Sequence, residues 1–221
     1  MIIAIDGPAG SGKSTVAKIV AKKLNFHYID TGSMYRSVAW KSLQEKAKLV
    51  DEDVVASIAW KTKIELVPGE NEQLVFVDGE NITDQLKKET ISRGAAVVAA
   101  QPIIRKIMTA KQRELGKRGN VVMDGRDIGT VVFPKAEKKF FLDADPEERG
   151  RRRFAELKEA EQEINADLTT IIKQVMQRDS EDRNRKIAPL KQAKDAILID
   201  TTHLSIDQVV KEIIKTINPS S

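Results

Sequence analysis

The sequence predicts an α/β fold: a five-stranded parallel sheet with helices on both faces, an inserted lobe and a short arginine-rich segment. Two observations carry this. Short, continuous apolar runs such as Ile2 to Asp6 lack the alternation of a half-solvated strand and suit a sheet buried on both faces. Segments with helical spacing alternate with these runs, and that alternation calls for parallel strands joined by helices.

Ile2 to Asp6 is the first strand, and a glycine-rich turn follows it. Val16, Ile19, Val20 and Leu24 recur at helical spacing, so a helix is expected over 13–24. Phe26 to Ile29 reads as a second strand ending at Asp30, and 33–45 as a helix. From 62 to 84 the pattern changes. Ile64 to Val67, a turn at Gly69, Leu74 to Val77 and the pair Asp78-Gly79 predict a small antiparallel ribbon within an inserted lobe spanning 62–100. A helical stretch from about 85 to 117 breaks at Pro102. Val121 to Asp124 and Lys139 to Asp143 are further buried strands. Residues 146–163 are nearly all charged or small and read as an exposed helix. A helix over 167–185, a fifth strand at 196–200 and a closing helix at 205–217 complete the chain. The first four strands end in Asp6, Asp30, Asp124 and Asp143, so polar groups gather at the carboxyl edge, where such sheets bind ligands.

The 221 residues suffice for one sizeable core, read as a single domain. Apolar residues make up 41% and charged residues 32%, as in ordinary globular proteins. No apolar run is long enough to cross a bilayer, and the amino terminus shows no signal pattern. Cysteine is absent, which excludes a disulfide framework, a thiolate metal site and a cysteine nucleophile. A cytoplasmic protein with no membrane partner is expected. The net charge of +4 allows nucleic acid or small anionic ligands. Aromatic residues at 5% argue against a base-stacking platform.

Gly7-Pro8-Ala9-Gly10-Ser11-Gly12-Lys13-Ser14 fits G-x-x-x-x-G-K-[ST], and it lies between a strand and a helix as that motif requires. Glycines let backbone N–H groups converge on phosphate oxygens, and the helix N-terminus adds partial positive charge. Lys13 is expected to reach the β- and γ-phosphates and Ser14 to ligate Mg²⁺, mostly through water, with Asp124 or Asp30 behind it. Thr15 supports the turn. The chain is therefore expected to bind a nucleoside triphosphate, but the motif does not separate switch, motor and kinase.

Two further loops at the same edge offer arginine. In Asp30-Thr31-Gly32-Ser33-Met34-Tyr35-Arg36, Thr31 and Ser33 read as helix caps, and Arg36 in the first turn opposes the helix dipole. Asp124-Gly125-Arg126-Asp127-Ile128-Gly129-Thr130 places an arginine and two aspartates on a glycine-flanked loop. A salt bridge within the loop is the structural alternative.

With these residues in view, the sequence resembles the bacterial cytidylate kinases of the nucleoside monophosphate kinase family of P-loop proteins. The stretches that carry the resemblance are IAIDGPAGSGKST, YIDTGSMYR, VVAAQPIIR, VMDGRDIGTVVFP, KFFLDA, ERGRRRFAEL, RDSEDRNRKIAPL and DTTHLSIDQVV, spanning nearly the whole chain. The resemblance implies transfer of the ATP γ-phosphoryl group to CMP or dCMP. It implies Arg36, Arg126, Arg178 and Arg185 around the acceptor phosphate and ribose, Asp182 at the sugar hydroxyls, and Thr31 and Tyr35 lining the pocket. It implies Arg105 and Asp127 at the cytosine. It also makes the 62–100 insert the monophosphate-binding lobe and 148–167 a lid bearing Arg149, Arg152 and Arg153. A serine common in the family at the base is Ala96 here, which shifts base recognition towards Arg105 and Asp127.

The acceptor is already an anionic oxygen, so no general base is required, and His27 and His203 read as structural or surface residues. Positioning and charge compensation remain, and arginine suits both because its planar fork binds phosphate bidentately and stays protonated. Lys13, Arg126, Arg149, Arg152, Arg153, Arg178 and Arg185 are the expected catalytic cations. In the 167–185 helix, Leu168, Ile171, Ile172, Val175 and Met176 form an apolar stripe. Arg178, Asp182 and Arg185 fall beside it on one face, with Asp179 and Arg183 near enough to pair with them. No N-K-x-D base-reading motif for a GTPase occurs. A nucleic-acid-binding ATPase fits the basic charge but not arginines clustered on loops. ATP, Mg²⁺ and CMP or dCMP are thus the expected ligands, with no nucleic acid, and a monomer is expected.

Overall fold

The computed structural model describes residues 1–70, 72–159 and 166–218. Strand β1 (Ile2–Asp6) leads through the glycine turn into α1 (Lys13–Leu24), then β2 (His27–Asp30), α2 (Thr31–Gln44) and α3 (Glu52–Lys61). A ribbon follows of β3 (Ile64–Pro68), β4 (Gln73–Val77) and β5 (Glu80–Asn81), then α4 (Glu89–Ala99) and α5 (Pro102–Gly116). Next come β6 (Val121–Gly125), a wide turn over Ile128–Val132, β7 (Lys138–Asp143), α6 (Pro146–Glu159), α7 (Leu168–Asn184), β8 (Ile197–Asp200) and α8 (Ile206–Ile217). Of the expected 146–163 helix and 148–167 lid, residues 160–165 lie outside those described.

The main sheet has five strands in the order β2-β6-β1-β7-β8. The pairs β1–β6, β1–β7 and β7–β8 are parallel, so the expected fold class holds. Ile3, Ile5, Val122, Phe140 and Leu142 pack with α1 and α8 in one apolar cluster. Their alternate neighbours Ala4, Met123 and Phe141 are buried as well, which explains the unbroken apolar runs in the sequence. Register aligns the strand ends: Asp6 stands opposite Gly125 and Phe141, and Asp143 opposite Asp200.

The chain forms two compact units, one of residues 1–28 and 119–221 and one of residues 29–118. The second is larger than the 62–100 insert expected from the sequence. It includes α2 because α2 packs along α4, and α3 and α5 because they pack together. The contact of α2 with α4 is close: a Cβ on Gly94 would stand 2.8 Å from Leu49 Cδ1 and 3.4 Å from Ala39 Cβ. The ribbon orders as β3-β4-β5 and contributes Val75 and Val77 to a cluster with Trp40, Ile82, Leu86 and Ile91. Asp78 and Gly79 join β4 to β5 with positive φ angles of 50° and 88°, a turn whose twist suits a hairpin.

Candidate active site

The first unit builds its site on the turn after β1. Gly10 and Gly12 have φ of 73° and 80°, a region that favours glycine. A Cβ on Gly10 would also meet the Arg149 carbonyl oxygen at 2.7 Å. Gly12 is the residue before α1, and no side chain caps that helix end. Its leading N–H groups and partial positive charge therefore face the loop 7–12, as anion binding requires. The Lys13 ammonium donates to the Pro8 carbonyl at 3.1 Å, so its charge folds back over the loop.

Ser14 and Asp124 meet as the sequence suggested. The Ser14 hydroxyl donates to Asp124 Oδ2 at 2.6 Å, and the Tyr28 hydroxyl donates to Oδ1 at 3.0 Å. Hard oxygens beside a phosphate cradle suit Mg²⁺, which binds through few carboxylates and keeps several waters. No cluster of three His, Asp or Glu side chains fit for a metal occurs among the described residues. Asp30, in the second unit, caps α2. Thr15 is exposed.

Arg149 is buried at 3% exposure, and its guanidinium is engaged by protein groups. Nε donates to the Ala144 carbonyl at 2.9 Å, Nη1 to the Ala9 carbonyl at 3.0 Å, and Nη1 also pairs with Asp179. Burial pushes the Asp179 carboxyl up, against the pull of Arg149. Asp179 thus pairs with Arg149 and Arg183 with Asp143, not with the charges of their own helix. Met176, counted in the apolar stripe, is exposed, and Asp179 takes the inward position one turn beyond Val175. Gly150 lets α6 approach α7, since a Cβ there would stand 2.4 Å from Ile172 Cγ1.

Arg152 reaches the loop after β8, donating to Thr201 Oγ1 at 3.1 Å and to the Thr201 carbonyl at 2.7 Å. Thr201 in turn donates to the Ser11 carbonyl at 3.2 Å, a brace on the phosphate loop that sequence reasoning did not find. Arg153 pairs with Glu156 at 3.2 Å, but α6 is not the exposed helix expected, since Arg149 and Leu157 are buried.

The Arg126–Asp127 loop leads into the turn 128–132. Arg126 Nε donates to Asp182 Oδ2 at 2.9 Å, and Arg185 Nη1 lies 3.1 Å from Oδ1. Burial alone would raise the Asp182 carboxyl, but Arg126, Arg185 and Arg178 together hold it below the usual carboxylate range. Asp127 is buried. Asp6, singled out in the sequence only as a strand end, accepts N–H bonds from Ile128 at 2.8 Å and Gly129 at 2.7 Å. Burial pushes its carboxyl up to about 7, against those two donors.

In the second unit, Asp30 and not Thr31 or Ser33 caps α2, accepting the Ser33 N–H at 3.1 Å. The helix consequently begins at Thr31, which puts Arg36 in its second turn. Arg36 Nη2 donates to Asp30 Oδ2 and to Ser33 Oγ, both at 2.7 Å, so it sits on the cap that offsets its unfavourable place on the helix dipole. Thr31 is buried in the same turn. The Arg105 guanidinium lies 5.6 Å from the Tyr35 ring centre and donates to the Ala99 carbonyl at 3.0 Å. Stacking and burial fix this arginine's plane.

A family model described as Cytidylate kinase matches residues 3–219. A protein named Cytidylate kinase from Geobacillus sp. (strain WCH70) is 51% identical over 98% of this chain and 96% of its own length. One of the same name from Bacillus subtilis (strain 168) is 45% identical over 99% of this chain and 97% of its own. A crystal structure of an uncharacterized protein from Eubacterium ventriosum ATCC 27560 superposes with a TM-score of 0.50 at 15% identity, covering 100% of this chain and 99% of that one. That last likeness concerns the fold alone.

Proposed function

The chain belongs to the cytidylate kinase family, and on that premise we propose that it transfers the γ-phosphoryl group of ATP to CMP or dCMP. The observation that carries this reading is the pairing, within one unit, of the uncapped N-terminus of α1 with the Arg126–Asp182–Arg185 cluster. ATP is held by Gly7, Pro8, Ala9, Gly10, Ser11, Gly12, Lys13, Ser14 and Thr15. CMP is held by Arg126, Asp127, Arg178, Asp182 and Arg185, to which the family resemblance adds Thr31, Tyr35, Arg36 and Arg105.

Lys13, Arg126, Arg178 and Arg185 offset the charge of the transferring group. Arg149 and Arg152 act through the backbone of the phosphate loop, and Arg153 adds a further cation on the same helix. Ser14, mostly through water and with Asp124 directly behind it, would hold Mg²⁺, which supplies further charge compensation on the phosphates when bound. Two substrates this anionic repel each other, so fixed cations and positioning account for the catalysis. The enzyme is read as a cytoplasmic monomer. Among the described residues, no helix is long and apolar enough to cross a membrane.

The test is ADP production from ATP and Mg²⁺ with CMP, dCMP, UMP, AMP, GMP, dTMP and shikimate at equal concentration. Turnover confined to CMP and dCMP is expected. Comparable UMP turnover would make the enzyme a broader pyrimidine kinase and would trace to Ala96. No turnover with any monophosphate would overturn the reading.

A further inference from the structure

Asp6 ends β1, and its backbone continues into Gly7, the first residue of the phosphate loop. Its side chain leaves that path. The two carboxylate oxygens accept consecutive N–H groups, Ile128 at 2.8 Å and Gly129 at 2.7 Å, across 122 and 123 residues of chain. Those are the first two N–H groups of the turn 128–132. Asp127, the residue before the turn, makes no capping bond with its own side chain. An aspartate in that position ordinarily caps the N–H groups that follow it. Here Asp6 caps the turn from another strand.

The approach is close. A Cβ on Gly129 would stand 3.3 Å from Asp6 Oδ2 and 3.2 Å from the Lys139 Cδ. The Gly7 N–H adds a bond of 3.3 Å to the Gly125 carbonyl, just before Arg126. The Arg126–Asp127 segment is therefore held at both ends by the residues that open the phosphate loop.

We infer that Asp6 is a positioning residue for the acceptor nucleotide, setting Arg126 and Asp127 in register with the phosphate loop by capping the turn at Ile128 and Gly129. This rests on the proposed role of Arg126 and Asp127 in binding CMP. Asp6 does not touch substrate; its effect passes through the turn.

The variant Asp6→Asn keeps the shape and replaces one acceptor oxygen by a donor, so one buried N–H faces an NH₂ group. The expected result is a rise of about tenfold in KM for CMP with KM for ATP changed by less than about twofold. Gly129→Ala presses on the same bond from the other side without altering β1, and it should show the same split. It decides the matter if Asp6→Asn does not fold. Hydrogen exchange at Ile128 and Gly129 gives a readout independent of substrate, and both amides should exchange faster in Asp6→Asn. Unchanged KM for CMP in both folded variants, or equal changes in both KM values, would overturn the inference while leaving the kinase reading intact. Absence of CMP binding to the wild-type enzyme would overturn both.

Discussion

The Arg149 guanidinium rests on the Ala9 carbonyl oxygen, Nη1 to O 3.0 Å, and the same nitrogen pairs with buried Asp179. An arginine that the sequence suggests as a phosphate clamp thus grips the backbone of the phosphate loop, and α7 supplies its counter-charge. The two helices α6 and α7 and the loop are joined through one side chain.

Asp179→Ala should test that junction. It leaves buried Arg149 with only the Asp143 carboxylate, 3.9 Å from Nε, and breaking a buried pair of this kind costs about 3 kcal/mol. For a chain of this size the midpoint of thermal unfolding should fall by roughly 6–12 °C. KM for ATP should rise in the surviving folded enzyme, because the Arg149 nitrogen that donates to the Ala9 carbonyl is no longer steered by Asp179. A melting temperature within about 2 °C of wild type would show that the pair contributes nothing net.

The short bond between Ser14 and Asp124 leads to a second expectation. Asp124→Asn replaces one carboxylate oxygen with an amide nitrogen and removes a negative charge from beside the Ser14 hydroxyl. The Mg²⁺ concentration for half-maximal rate should rise roughly tenfold, as when a group behind a metal ligand is altered. KM for CMP should stay nearly constant. Paramagnetic titration with Mn²⁺ in the presence of ATP would measure the same weakening without turnover. An unchanged metal affinity would remove Asp124 from the metal's surroundings.

The sheet and the phosphate loop were legible because both signals are local: apolar runs, and one contiguous motif between a strand and a helix. The helix α3 was not. Its buried Val55, Ile58 and Ala59 are interleaved with exposed Val54 and Trp60, so no clean stripe marks it. The sequence points to Thr31 or Ser33 as the cap of α2, one and three residues past the observed Asp30, because Asp30 serves both as strand end and as helix cap. Periodicity put Asp179 and Asp182 on neighbouring faces of one helix but could not rank them. Burial ranks them, with Asp179 inside against Arg149 and Asp182 between Arg126 and Arg185. Asp6 was opaque for a different reason. Its partners lie more than a hundred residues away, and no single-sequence pattern joins a strand end to a distant turn.

Asp6 should also mark the stability profile. Burial raises its carboxyl from 3.8 to about 7 in the fold, so between those values the folded chain holds a proton that the unfolded chain has lost. Its stabilising contribution is complete below about pH 4 and disappears as pH rises through 7. Asp6→Asn has no proton to lose there. In urea unfolding at pH 4.5, 6 and 8, the stability advantage of wild type over the variant should shrink with rising pH. A constant difference would mean that Asp6 is ionised throughout that range.

Asp182 should behave with the opposite sign. Arg126, Arg185 and Arg178 outweigh its burial and depress its carboxyl, so the folded chain releases that proton more readily than the unfolded one. The contribution is present at neutral pH and lost as pH falls through the depressed folded value. Asp182→Ala should therefore be less stable than wild type at pH 7 and approach it in acid. The same variant leaves two guanidinium groups facing each other with no carboxylate between them, which disorders the cluster proposed to bind CMP. Turnover with CMP should drop by about ten- to a hundredfold, while KM for ATP, whose loop Asp182 does not touch, stays nearly unchanged. Steady-state rates with CMP and ATP varied in turn would separate the two. Full CMP turnover in this variant would take Asp182, and the bracket it forms with Arg126 and Arg185, out of the acceptor site.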